Sequence, residues 1–315
     1  MARSHAIAIA ALASVFVTSS VQAQSAYSTG FESMSLGSVV GQEDWNRNSN
    51  SATLGTVTNA QSFTGSQSME LTTLSSQTDM DNLFGVIDSL RTPVINAAGE
   101  FGSVGNPVMA NQMKFSYWYR TPLASVDTDD FFGALVEIDP SRSFGAGASR
   151  YAGVFVYDGA QDQSNGQYYT AADKIVLELD TPLQYGDGNA NWDFGAVVKG
   201  LDYGTWYNIQ YDLTLVNGLA GNSPNDVFSV SVFNTSNTLL GSYTKSTWEV
   251  GMKDGRWGNT TAWALDSISF RTNTKVAGQS LGFIDGVQLS TVPEPASMLA
   301  LSGGLLALLR RRRQK

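Results

Sequence analysis

The stretch WYNIQYDLTL, residues 206–215, alternates without a break. Tyr207, Ile209, Tyr211, Leu213 and Leu215 fall on one side, and Asn208, Gln210 and Asp212 on the other. A period of two puts these sets on opposite faces of a β-strand, whereas a helix would mix them. The pattern recurs along the chain. In MKFSYWYRT, Met113, Phe115, Tyr117 and Tyr119 share a face. RYAGVFVYDG sets Tyr151, Phe155 and Tyr157 against Val154 and Val156, and KIVLELDT offers Ile175, Leu177 and Leu179. VFSVSVFN, LDSISFRT and SLGFIDGVQL continue it. In SLGFIDGVQL, strict alternation places Leu281, Phe283, Asp285, Val287 and Leu289 together.

Gly, Asn, Asp and Ser separate these runs, as turns between strands require. No long helical period, fixed-spacing repeat, Pro-rich linker or charge block interrupts them. The expectation is an all-β fold: a two-sheet antiparallel β-sandwich of jelly-roll type, one domain over residues 24–291. Strands from its two extremes would pair side by side. GEFGSVGN, residues 99–106, reads as a long loop within it. Trp118 and Trp206, both in strands, read as packing residues.

The two ends differ from this body. MARSHAIAIAALASVFVTSSVQAQS has a basic start at Arg3, an apolar core from Ala6 to Val17 and small residues at Val21-Gln22-Ala23. That order predicts a signal peptide over residues 1–23, cleaved near Gln24. The other end reads VPEPASMLALSGGLLALLRRRRQK. Ala296 to Leu309 is uncharged and as a helix would span about 21 Å, short for a bilayer core of about 30 Å. Arginines at its end stay cytoplasmic, which leaves the body outside the inner membrane. Residues 292–315 resemble the PEP-CTERM sorting signal of Gram-negative bacteria: Pro293-Glu294-Pro295, the short hydrophobic helix, then Arg310, Arg311, Arg312 and Arg313. The resemblance implies recognition by an exosortase-type membrane transpeptidase and transient inner-membrane association through the helix. It also implies removal of the tail and delivery to the cell surface or the extracellular polysaccharide of a biofilm matrix.

Charge and missing residue types narrow what the body can do. Setting aside Arg3, Glu294, Arg310 to Arg313 and Lys315 leaves 13 basic and 27 acidic residues, a net charge of −14. Such a body lacks the basic patches that nucleic acid or anionic lipid would need. There is no cysteine, and the only histidine is His5, inside the signal. Ser-His-Asp and Cys-His nucleophiles and the usual zinc sites are therefore absent from the processed chain. A metal would be calcium on oxygen ligands.

TGFESMSLGSVVGQEDW, GTWYNIQYDLTL and SLGFIDGVQL together resemble concanavalin A-like and carbohydrate-binding-module sandwiches. In such modules the opening Glu and the last-strand Asp contribute to a structural calcium, which here implies Glu32 and Asp285. From the residues alone, a carboxylate in the apolar face of SLGFIDGVQL needs compensation. A cation, a bulge turning Asp285 to solvent, or a loop amide would each serve. GDGNANWD places Asp187, Asn189, Asn191 and Asp193 at alternate positions, like the first ligands of a calcium loop. Trp192 replaces the required Gly and no Glu follows at the twelfth position, so an Asx-rich hairpin loop is the alternative. DTDDFFG, with Asp127, Asp129 and Asp130, reads as a solvated loop.

The carboxylate pattern of laminarinase-like enzymes fails at Val136-Glu137-Ile138-Asp139-Pro140, where no second Glu follows. For sugar binding, an exposed ring flanked by polar groups is expected. WEVGMKDGRWGNTTAW offers Trp257 between Arg256 and Asn259, with Trp263 nearby. The resulting expectation is an exported, non-enzymatic protein that binds or organises glycans. A carboxylate-dependent polysaccharide hydrolase or lyase and a purely structural matrix protein are the alternatives.

Overall fold

The computed structural model describes residues 24–43, 45–47, 53–73, 90–91, 94–95, 101–102, 112–125, 132–138, 150–159, 171–184, 191–214, 227–245, 265–272 and 278–292. The strands run in order β1 (Gln24–Thr29), β2 (Gly37–Ser38), β3 (Asn46–Arg47), β4 (Thr53–Thr58), β5 (Ser68–Thr73) and β6 (Leu90–Arg91). Next come β7 (Val94–Ile95), β8 (Phe101–Gly102), β9 (Gln112–Arg120), β10 (Phe132–Ile138), β11 (Arg150–Asp158) and β12 (Ile175–Gln184). The last are β13 (Asn191–Leu201), β14 (Trp206–Thr214), β15 (Val227–Phe233), β16 (Leu239–Lys245), β17 (Leu265–Thr272) and β18 (Phe283–Val292). Among the described residues the one helical element is a 3₁₀ turn, Ala171–Asp173. None has a helix long and apolar enough to cross a membrane. The signal segment and the apolar tail lie outside the described residues.

Two antiparallel sheets form the sandwich. The larger orders its strands β16-β15-β14-β9-β18-β5-β4-β2, with β1 added on β18. The smaller runs β13-β12-β11-β10-β17-β6-β3, and β7 and β8 pair separately. The first and last strands are thus neighbours, Gln24 opposite Thr291 and Thr29 opposite Val287.

The inward faces are those the alternation marks. Phe115, Tyr117 and Tyr119 from β9 and Tyr207, Ile209, Tyr211 and Leu213 from β14 are buried. They face Val154, Val156, Leu177 and Leu179 of the smaller sheet in one core cluster. Phe270 of β17 bridges the sheets, edge-on to Tyr117 at 5.4 Å and stacked with Trp45 at 6.0 Å. In β11 and β12 both faces are covered, because Phe155, Tyr157, Val176 and Glu178 are buried outside that cluster.

β18 departs from strict alternation. Ile284 pairs with Tyr119 and Asp285 with Trp118, but the register then slips so that Gln288 pairs with Ser116. Gly286, at φ 56°, sits in this bulge. An extra residue reverses which parity faces the core. Ile284, Val287 and Leu289 therefore point inward, all within the core cluster. Asp285, expected among the apolar set, stands with Phe283 on the outer side of the larger sheet.

Candidate functional site

Outward side chains of the larger sheet form rows, because residues opposite one another across antiparallel strands share a face. One row runs Ser290, Lys114, Asp212, Ser229 and Thr244 across β18, β9, β14, β15 and β16. The next, two residues along, runs Gln288, Ser116, Gln210, Ser231 and Ser242. The serines are short and the flanking Gln, Lys and Asp are long. The face is therefore hollowed into a depression of about 350 Å³ lined by the β18, β9, β14 and β15 members of both rows. Its floor is hydroxyls and amides. Lys114 Nζ lies 3.0 Å from Asp212 Oδ2, both half-exposed. Ser229 and Thr244 share a hydroxyl bond of 2.9 Å, and Gln210 Nε2 donates to Asn208 Oδ1 at 2.6 Å. The Tyr211 phenol is turned away into the core, 3.0 Å from Tyr117 Oη.

The third and fourth rows are aromatic. Trp118 opposes Asn208 and Asp285, and Arg120 opposes Trp206 and Phe283. The 59–67 loop, between β4 and β5, folds over this end. Its Phe63 stacks on Trp118 with centroids 3.7 Å apart and planes at 17°, and tilts against Trp206 at 5.9 Å. Trp118 and Trp206 do pack, as read from sequence, but outside the inter-sheet core and only half-buried. Among the described residues, Arg120 Nη1 is buried without a hydrogen-bond partner, and burial lowers the Arg120 pKa.

Two carboxylates staple that loop. Asp285, fully buried, accepts the Phe63 and Thr64 N–H groups on Oδ2, both at 2.8 Å, and the Gly286 N–H on Oδ1 at 2.6 Å. Glu32 accepts the Ser66 and Gln67 N–H groups on Oε1 and the Ser66 hydroxyl on Oε2, all at 2.8 Å. Gly65, at φ 66°, brings its backbone so close that a Cβ there would lie 2.4 Å from Glu32 Oε1. Burial raises the Asp285 pKa against the pull of its amide donors, and the nearby Glu32 charge raises it further. The Gln67 and Ser66 amides lower that of Glu32. Both carboxylates thus accept protein donors, which outweigh desolvation at Glu32 but not at the buried Asp285. Asp285 Oδ1 and Glu32 Oε2 each accept one of these bonds. Among the described residues, no three His, Cys, Asp or Glu side chains converge as a metal group.

The structure thus gathers Glu32 and Asp285 on one loop. Of the second calcium set, Asn191 and Asp193 lie in β13, paired with Gln184 and Thr181. Asp187 and Asn189 lie outside the described residues, as do Trp257, Trp263, Arg256, Asn259, Asp127, Asp129, Asp130, Pro293 to Pro295 and Arg310 to Arg313. The polar depression escaped the sequence reading. Its signal was present in Gln210 and Asp212, but which strands would lie beside them was not.

Residues 291–313 match the PEP-CTERM protein-sorting motif. No curated protein matches the chain in sequence. Among solved structures, it is similar to the marine PL-14 alginate lyase from Aplysia kurodai, at 11% identity and TM-score 0.45, covering 85% of this chain and 99% of that one. The endo-β-1,4-glucuronan lyase from the fungus Trichoderma reesei gives 8% identity, TM-score 0.45, and coverage of 85% and 96%. The exoplasmic/lumenal domain of VIP36, in its Ca²⁺-bound form, gives 9%, 0.40, and 86% and 93%. Likeness this distant assigns no activity, and the sandwich architecture rests on the strand pairing above.

Proposed function

We propose that this chain is an exported protein, sorted through its C-terminal motif, that binds polysaccharide without cleaving it on the outer face of its larger sheet. One observation carries the reading: two adjacent rows of hydroxyl and amide side chains hollow an open depression, and the next two rows along the same strands hold Trp118 and Trp206, with Phe63 stacked on Trp118. Sugar hydroxyls need paired donors and acceptors, and their C–H faces stack on rings. Ser, Gln and Trp supply both. For proton abstraction or glycosyl transfer the depression offers, among the described residues, one carboxylate, and Lys114 pairs with it. Export and processing at Pro293-Glu294-Pro295 by an exosortase-type peptidase follow from the sorting motif, and placement in the extracellular matrix belongs to the same proposal.

Affinity electrophoresis of the full chain through gels containing soluble polysaccharides tests it. Retardation in at least one gel is expected, lost in Ser231→Trp, which fills the depression, and reduced in Trp118→Ala. Trp257→Ala tests the stretch around Trp263, Arg256 and Asn259 as a second contact. New reducing ends or unsaturated products would instead mark an enzyme.

A structural calcium at Glu32 and Asp285 would use Asp285 Oδ1 and Glu32 Oε2. It is tested separately by thermal unfolding with millimolar calcium and with excess chelator. A shift absent in Asp285→Asn marks a cation sharing the staple, and superimposable curves mark the amides acting alone.

A further inference from the structure

We propose that the depression selects uncharged polysaccharide, and that the Lys114–Asp212 pair is the selector. This rests on the glycan-binding reading above and specifies its ligand class. Among the described residues lining the depression, the charges are Lys114 and Asp212, and they face each other across β9 and β14 at 3.0 Å. Around them stand Ser116, Ser229, Ser231, Ser290, Gln210 and Gln288, each able to donate and accept. The floor is therefore locally neutral, in a body of net charge −14.

A polyuronate or sulfated chain arriving there meets general repulsion and, among the described residues lining the depression, no cation outside the pair. Lys114 is already satisfied by Asp212. Arg120 lies in the fourth row, beyond Trp118, with Nη1 covered by protein rather than offered to the depression. Neutral sugars are not repelled. Within the second row, successive side chains stand one strand spacing apart, about 4.8 Å, so a chain laid across the strands meets a hydroxyl or an amide at each step.

The pair makes the selection reversible by one substitution. Asp212→Asn keeps the shape and releases the Lys114 charge. The pair is half-exposed, a class of ion pair that contributes little to stability, so the variant should fold, which circular dichroism checks. The full chain and Asp212→Asn are run in gels containing a neutral glucan, a neutral galactomannan, a neutral xylan or polygalacturonate. The wild type is expected to be retarded by at least one neutral polymer and not by polygalacturonate. Asp212→Asn is expected to gain retardation by polygalacturonate at low salt. It should lose that gain near 1 M salt, where screening acts over about 3 Å. Retardation of the wild type by polygalacturonate alone would overturn the selection and leave polysaccharide binding standing. Absence of retardation by every polymer would overturn both. Asp212→Asn failing to gain polygalacturonate binding, with neutral binding intact in the wild type, would remove the pair as selector.

Discussion

Tyr117 and Tyr211 meet hydroxyl to hydroxyl at 3.0 Å in the middle of the core, with both rings buried. Burial raises both pKa values, so the phenols stay protonated and each serves as the other's partner. Removing one hydroxyl strands the other. Tyr117→Phe should therefore cost about 1–3 kcal/mol, while Tyr117→Phe with Tyr211→Phe should cost less than the single change. Denaturant unfolding of the variants measures this. At the loop staple the two carboxylates answer acid in opposite directions. Glu32, with its pKa lowered, contributes stability above its ordinary value of 4.5 and loses it as pH falls through the lowered value. Asp285, with its pKa raised, contributes stability below the ordinary aspartate value and loses it as pH rises through the raised one. Glu32→Gln should thus show a melting-temperature deficit at pH 7 that closes on acidification below about pH 4, read by thermal unfolding across pH 3–7.

At the scale of elements, the bulge in β18 is what creates the site's aromatic end. Without it, the parity of SLGFIDGVQL would hold Asp285 in the core face, where an ionised carboxylate is costly. With it, Ile284 takes the inward place, and Asp285 reaches the amides of the 59–67 loop that carries Phe63 onto Trp118. Gly286 allows this at φ 56°, and a Cβ there would lie 3.1 Å from Trp118 Cδ1. Gly286→Ala should therefore destabilise by about 1–2 kcal/mol. It should also weaken glycan retardation by shifting Trp118, and thermal unfolding beside gel retardation separates the two effects. The strands themselves were legible from period two. A bulge and a loop amide were both open as ways to compensate Asp285, beside a cation, but alternation alone does not choose among them. The β4–β5 loop offered no sign that it would fold back onto β18, more than two hundred residues away in sequence.

Across the whole molecule, the ends of the body come together. β1 lies on β18 with Gln24 opposite Thr291, so the expected signal-cleavage point and the start of the sorting motif share one end of the larger sheet. The motif match begins at Thr291, itself a ladder residue of β18, so the motif joins the sheet without a spacer. Replacing both Pro293 and Pro295 by Ala should leave the C-terminal arginines on the exported chain and hold it in the membrane fraction. Mass spectrometry of the fractionated protein reads the outcome.

What the sequence determined by itself is whatever depends on neighbours along the chain. Alternation sets a strand and its buried face, because side chains two apart share a side of the pleat. An apolar run between Pro-Glu-Pro and four arginines is a contiguous signal that needs no fold to be read. The absence of cysteine and of any histidine beyond His5 excludes chemistries outright. Tertiary structure decided what depends on neighbours across strands. Ser290, Lys114, Asp212 and Ser229 are far apart in the chain and become one row only through the order β18-β9-β14-β15. That order follows from which apolar faces bury best against each other, a property of the whole core that no local pattern carries.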